Sequence, residues 1–443
     1  MNVGPSARDA GRLSFLTKSP LERLTPHAQP QYFSKGVRIT GGEQLCEAAY
    51  LILSGSCELR RSLPDGQQQV IENLGPGAAF GGLDVRKAQT NISGEIAKAL
   101  RGADAADQAA VDRKLLALDG TPNKSRLGGN AMIAVSMAAA HAAAAAHGVP
   151  LWHYLSGGKP GRLPLPEIQI FGGGAHAARR VDVQDFMVVC RRAKSFAEAL
   201  DVTAQVYAAA GKLLAERGLL QGVADEGGYW PAFGSNEETL DMLVRAIERA
   251  GLTPGGEVAI SLDIAASSFG GKGHYRLALE GRELDSDALV DMLGGWIERY
   301  PIVMVEDPVA EDDAEGFRRF TKAYGARVQV VGDDFLVTAA ARVREAAASR
   351  AVTAALIKPN QAGTLTETLA ALTAAREAGL GTIVSARSGE TEDVTIVHLA
   401  VGWDAGQLKV GSFARSERMA KWNEGLRIAE TLRGKGKLTN WRG

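Results

Sequence analysis

Short apolar runs and amphipathic stretches alternate through most of the chain. Beyond Leu163 the runs VAISLDIA, IVMVED, RVQVVGDD, TAALIK, GTIVSAR and QLKVG have the length of buried parallel strands. The stretches between them read as helices. From Glu237 to Ala250, Leu240, Leu243, Val244 and Ile247 fall at i, i+3, i+4 and i+7, one helical face. Ser195-x-x-Glu198 and Thr364-x-x-Glu367 are capping boxes that open two further helices. Alternation sustained over about 280 residues predicts an α/β fold whose strands close into a (β/α)8 barrel. We place this domain at residues 161–443.

Upstream the pattern changes twice. Residues 83–160 read as helical, with Ala109, Val111, Leu115, Leu116 and Leu118 marking one amphipathic stretch. The alanine-dominated run from Ala131 to His147 is a strong helix former, stopped by Gly148 and Pro150. Its composition predicts a tightly packed, buried helix. Residues 1–82 read as β-rich. Leu51, Ile52, Leu53 and Leu59, then Val70, Ile71 and Leu74, lie in short strand-like runs. Between them Pro64-Asp65-Gly66 is a turn, because Pro presets φ and Gly tolerates positive φ.

Composition narrows the class. Apolar residues make up 45% and charged residues 23% of the 443, which excludes global disorder. Lys and Arg number 50 against 51 for Asp and Glu, so a net charge of −1 offers no footprint for nucleic acid. Cys46, Cys57 and Cys190 are too few for a disulfide scaffold and match no zinc spacing, which suits a reducing, cytoplasmic setting. Arg8, Asp9, Arg12 and Lys18 interrupt the opening residues, against a secretory leader. Ala131 to Ala146, the most apolar stretch, falls short of the ~20 residues that cross a bilayer, so no membrane association is expected.

The strand-like runs share one further property: each ends on a polar group, Asp263, Glu306, Asp333, Lys358, Arg387 or Lys409. In a parallel barrel the carboxyl ends of all strands meet on one face, where active sites lie. Residues far apart in sequence then ring a single cavity. Three carboxylates there repel one another, since two unit charges ~4 Å apart cost ~1 kcal/mol in water and several times more at lower dielectric. A hard dication with oxygen ligands relieves this, and Mg²⁺ is the usual one where an oxyanionic substrate completes the coordination. Salt bridges to Lys358, Arg387 and Lys409 are the purely structural alternative.

The stretches that carry these residues, SLDIAASSFG, MVEDP, VGDD, LIKPNQAGTLTET, RSGETED and QLKVGS, resemble enolase. ADEGGYWP around Glu226, HAARRVDVQDFM from His176 and LDGTPNKSRLGGNAMIAVSMAAAHAAAAA resemble the same family, so the likeness runs from about Leu83 to Trp441. It implies an enolase-type barrel and a lyase that reversibly dehydrates 2-phosphoglycerate to phosphoenolpyruvate in glycolysis and gluconeogenesis. That superfamily uses a Lys or His base with one or two Mg²⁺ ions at an ene-diolate. By the resemblance Asp263, Glu306 and Asp333 hold Mg²⁺ and Lys358 is the base. Nearby positive charge, from Lys409 and the metal, is expected to disfavour the Lys358 ammonium. Glu226 corresponds to the general acid that protonates the departing 3-hydroxyl, a role that requires a raised carboxyl pKa. Arg387 and Ser388 correspond to phosphate contacts, Lys409 and Gln184 to substrate contacts, and His176 to the family's active-site histidine.

The sequence departs from that family at several points. Its mobile Ser-Gly-Ala-Ser-Thr-Gly loop, which closes over substrate and helps hold a second Mg²⁺, has no counterpart here. Ala386 stands where the pattern has His in Ser-His-Arg-Ser, and Asp185 stands beside the site where Glu is usual. A displacement of ~1 Å can cost ~10²-fold in rate. Residues 32–82 instead resemble part of a cyclic-nucleotide-binding β-roll, through FSKGVRI, AYLILSGSCELRR and DGQQQVIENLGPGAAFGG. Gly82 occupies that family's acidic position and Arg86 comes too early for its phosphate ligand, so a structural unit without cyclic nucleotide is expected. The alternative for the whole chain is an enolase-derived protein with weak or no turnover, acting as a binding or regulatory module. A homodimer is the expected assembly.

Overall fold

All six apolar runs that end on polar groups form strands. The computed structural model describes residues 94–159, 161–433 and 436–441, together with four strands nearer the N-terminus. The chain divides into two compact units, Met1–Lys98 and Ala99–Gly443. In the first, β1 (Ala49–Leu51) pairs antiparallel with β4 (Ala79–Gly81), and β2 (Cys57–Ser62) with β3 (Gln68–Leu74). Of the residues read as strand-like, Leu51, Leu59, Val70, Ile71 and Leu74 fall in these strands. Residues 1–48, Ile52, Leu53, the turn at Pro64-Asp65-Gly66, Gly82 and Arg86 lie outside the described residues.

In the second unit eight strands close a barrel. They are β5 (Leu165–Gly172), β6 (Asp185–Cys190), β7 (Val258–Asp263), β11 (Ile302–Glu306), β12 (Gln329–Gly332), β13 (Ala354–Ile357), β14 (Gly381–Ser385) and β15 (Gln407–Gly411). A small antiparallel sheet of β8 (Gly270–Gly271), β9 (His274–Leu277) and β10 (Arg282–Asp285) follows β7. Helices cover the barrel, and β5, β6, β7, β12, β13 and β15 are buried along their whole length, which is why they read as continuous apolar runs. Ser195 and Thr364 cap their helices as expected, each accepting from the backbone N–H three residues on.

The expected (β/α)8 repeat is not uniform. β6 runs antiparallel to both β5 and β7. The β5–β6 connection holds only a short 3₁₀ turn, Gly174–Ala177, with no helix to carry the chain back for a parallel return. Two helices, Phe196–Glu216 and Asn236–Arg249, come instead between β6 and β7. The reversal has a chemical consequence. Asp185, the first residue of β6, lies in register with Asp263, the last of β7, so it stands at the rim where the other strands end.

Helices Gln108–Asp119, Gly129–Ala146 and Leu151–Leu155 belong to the same unit as the barrel. The Gly129–Ala146 helix is buried on one side only: Met132, Ile133, Ser136, Ala140, Ala143 and Ala144 face inward, while Ala134, Ala138, Ala142 and Ala145 are exposed. The expectation of a tightly packed, buried helix holds for one face only, because alanine favours helix on any face and marks no side. What anchors it is polar. The Ser136 hydroxyl donates to Asp112 Oδ1 (2.6 Å) and accepts from Gln108 Nε2 (3.0 Å) and from the Leu365 N–H (2.9 Å). Asp112 Oδ2 accepts from the N–H (2.9 Å) and hydroxyl (2.6 Å) of Thr366, at the start of the barrel helix Leu365–Glu377.

Candidate active site

The barrel gathers every expected site residue at one rim. Asp263 and Glu306 close β7 and β11, Lys409 lies in β15, and Asp333 and Lys358 directly follow β12 and β13. Arg387 and Ser388 stand in the loop after β14, Gln184 directly precedes β6, and His176 sits in the 3₁₀ turn. Nine of the eleven line one cavity of about 130 Å³, and Asp185 and Glu306 lie beneath it, fully buried.

Glu226 comes from the loop between the two extra helices, and two glycines hold it there. Gly227 has φ of 90°. Gly411, with φ of 110°, lets the end of β15 approach so closely that a Cβ would meet the Glu226 carbonyl oxygen at 2.5 Å. The Ser412 N–H donates to that oxygen (2.8 Å), and the Asp225 N–H donates to the His176 carbonyl (3.1 Å).

Lys409 donates to Asp263 Oδ2 and Glu306 Oε2 (2.8 Å each). Gln184 Nε2 donates to the same Asp263 oxygen (3.0 Å). Lys358 pairs with Asp333, whose other oxygen accepts from Gln361 Nε2 (2.9 Å). The salt bridges foreseen as the structural alternative thus form for both lysines. Among the described residues Arg387 makes no ion pair with these carboxylates; its backbone N–H donates to Glu390 (2.9 Å).

These contacts set the proton affinities. Burial opposes the Lys358 ammonium, but Asp333 and Glu306 outweigh it and raise the pKa. Lys409 pushes toward the neutral amine, as expected, but is outweighed by these carboxylates; a dication on Asp333 and Glu306 would offset their pull and favour the neutral amine. Burial first, then the Asp185 charge, raises the Glu226 pKa, as a general acid requires. His176, Asp185 and Glu226 offer ligand atoms within 4.8 Å of one another. Burial opposes charge on His176, yet Asp185, Glu226 and Asp263 raise its pKa to about 9.

The acidic floor has the donors for a cation. Glu167, Asp185, Asp263, Glu306, Asp307 and Asp333 are all buried here, against Lys358 and Lys409. Burial, then Asp263, raises the Glu306 pKa well above the usual range. Its Oε1 is buried with no hydrogen-bond partner, as a ligand oxygen would be. Asp307, Asp333 and Asp334 form a second close carboxylate group.

Sequence reasoning passed over several of these residues. Asp307, with φ of 41°, accepts from the N–H groups of Asp333 (2.9 Å) and Asp334 (3.0 Å) and so shapes the loop after β12. Its signal was the second acid in MVEDP. Glu167, a lone charge within the apolar run of β5, accepts from the Ser261 hydroxyl (2.5 Å); burial, against the pull of Lys409, lifts its pKa to about 7. Fully buried Arg418 donates to the carbonyls of Arg387 (2.7 Å), Ser388 (2.5 Å) and Val410 (3.1 Å). No motif pointed to it.

A closed barrel with a buried acid, an amine and a carboxylate cluster at one rim is the build of a TIM-barrel enzyme. Residues 161–441 match the family described as "Enolase, C-terminal TIM barrel domain", and residues 61–155 that described as "Enolase, N-terminal domain". The second match begins upstream of Leu83, among the residues that resemble the β-roll. The chain is also 48% identical over 356 residues to "Enolase 1" of Desulfitobacterium hafniense (strain Y51), covering 80% of this chain and 82% of that protein. The chain belongs to the enolase family, and it is a lyase of the phosphopyruvate hydratase type.

Proposed function

We propose that the protein reversibly dehydrates 2-phosphoglycerate to phosphoenolpyruvate, with Lys358 as base and Glu226 as acid. The observation that carries this reading is their placement. In the ring β11-β12-β13-β14-β15-β5-β6-β7, β13 and β6 are diametrically opposed. Lys358 follows β13, whereas Glu226 clusters with Asp185 of β6, so amine and carboxyl line opposite walls of one cavity. Such a pair suits removal of a proton from one face of a substrate and loss of a hydroxyl from the other. The Lys358 amine takes the proton from C2. The C–O bond at C3 breaks, and Glu226 gives its proton to the departing hydroxyl, which leaves as water.

Mg²⁺ held by Asp263, Glu306 and Asp333 would supply positive charge to the substrate carboxylate as it becomes more basic. Lys409 reaches the same region, and the exposed Arg387 guanidinium offers a fork for the phosphate. Ala386 supplies no donor there, which favours turnover below that of a site with histidine. For the first unit, the family match from residue 61 supports a structural role over cyclic-nucleotide binding.

The deciding experiment follows phosphoenolpyruvate absorbance with purified protein, Mg²⁺ and 2-phosphoglycerate. Turnover that Lys358→Ala abolishes is expected. Activity indistinguishable from buffer would sink this reading in favour of a non-catalytic, enolase-derived module.

A further inference from the structure

A second cavity opens at the other end of the barrel, where the parallel strands begin. Its volume of about 310 Å³ exceeds twice that of the site above and falls in the ~300–1,000 Å³ range of small-molecule sites. Leu165, Gln329, Gly381 and Gln407, the first residues of β5, β12, β14 and β15, line it with Thr439 and Trp441 of the C-terminal segment. That segment is tied down: the Leu163 N–H donates to the Lys437 carbonyl (3.0 Å) and the Thr439 N–H to the Leu163 carbonyl (2.8 Å). Trp441 packs on the apolar layer of Met304, Val331, Ala354, Leu356 and Ile383.

The polar groups of this floor are built in but not satisfied. Gln329, Gln407 and Thr439 are each more than nine-tenths buried. Gln329 Oε1 and Thr439 Oγ1 have no hydrogen-bond partner. Gln407 Nε2 finds only the Met304 thioether, at 3.4 Å, a weak acceptor. β15 and β11 stand opposite one another in the ring, so the Gln407 amide reaches across the barrel axis to Met304, the register neighbour of Gln329. Gly381 makes room for one of them, because a Cβ there would meet Gln329 Nε2 at 2.3 Å. Native folds rarely leave such groups unpaired. The charged groups of the wall are already committed: Asp404 holds Arg162 in a two-pronged pair (2.7 and 2.6 Å), and Arg376 donates to the Trp403 carbonyl. The groups left poorly satisfied on the floor are the uncharged side chains of Gln329, Gln407 and Thr439, which suits a neutral ligand.

We propose that this cavity binds a small, uncharged planar molecule with an amide edge, a carboxamide or lactam of aromatic size. Its N–H donates to Gln329 Oε1, its carbonyl accepts from Gln407 Nε2, and its ring lies against Leu165 and Trp441. The proposal is independent of the reaction at the other rim.

Titration calorimetry on the full chain with benzamide and with acetophenone, which replaces the amide NH₂ by a methyl group, tests it. Saturable benzamide binding about tenfold tighter than acetophenone is expected. Gln329→Leu should erase that preference, and Gly381→Ala, which displaces the Gln329 amide, should weaken benzamide binding. Absence of saturable benzamide binding, equal affinity for the two compounds, or a preference that survives Gln329→Leu would overturn the proposal and leave a water-filled cavity. The wild-type comparison decides even if a variant does not fold.

Discussion

Arg418 illustrates what a single buried charge does here. Its guanidinium is fully buried and holds the carbonyls of Arg387 and Ser388, the residues proposed to meet phosphate. Arg418→Lys keeps the charge but loses the planar fork. We expect KM for 2-phosphoglycerate to rise about tenfold or more with a smaller change in kcat, read by steady-state kinetics. Asp119 makes a separate, purely structural case. Its carboxylate accepts from the Leu127 N–H (2.6 Å) and the Thr121 N–H (3.0 Å), and although burial works the other way, these bonds and the Thr121 hydroxyl lower its pKa. A depressed native pKa contributes stability above the unfolded value, and that contribution vanishes as pH falls through the folded one. Asp119→Asn should therefore cost about 1–3 kcal/mol near neutrality and progressively less in acid, measured by urea unfolding at a series of pH values. At this scale the sequence spoke clearly wherever a polar residue ended an apolar run, as at Asp263 or Lys358. It was silent on Arg418, because a guanidinium in a helix reads as surface until its burial is known.

Between elements, the polar knot of Gln108, Asp112, Ser136 and Thr366 joins the helical layer to the barrel helix Leu365–Glu377. Asp112→Ala strands the Ser136 hydroxyl and both Thr366 donors. A loss of about 1–3 kcal/mol is expected, seen as a lower Tm, with Asp112→Asn losing less. Strands were legible because burial on both faces leaves unbroken apolar runs. Their direction was not: nothing in DFMVVC distinguishes an antiparallel β6 from a parallel one, and only the lack of a helix in the β5–β6 connection decides it. The Ala-rich helix shows the complementary limit. Its existence follows from propensity, but which side packs is fixed by Ser136 and Met132, not by the alanines.

For the molecule as a whole, the crowding of carboxylates at one rim is a standing cost that a cation relieves. Chelator-treated protein should therefore be less stable than protein in Mg²⁺, by about 2.7 kcal/mol at a hundredfold excess over Kd, and melt at a lower temperature. Calorimetric scans with Asp263→Asn should show most of that difference gone; an equal Mg²⁺ effect in the variant would count against these ligands. The antiparallel β5–β6 hairpin carries a further consequence. Both feet of the 173–184 connection stand on the active rim, no α-helix lies within it, and its bend passes through Ala178 and Arg179 at φ of 51° and 55°. Elsewhere around the ring a lengthened loop must still hand the chain to a packed helix. Here a longer segment spliced in near Arg179 would leave and re-enter on the same rim, which makes this hairpin the natural graft point for giving the barrel a new roof.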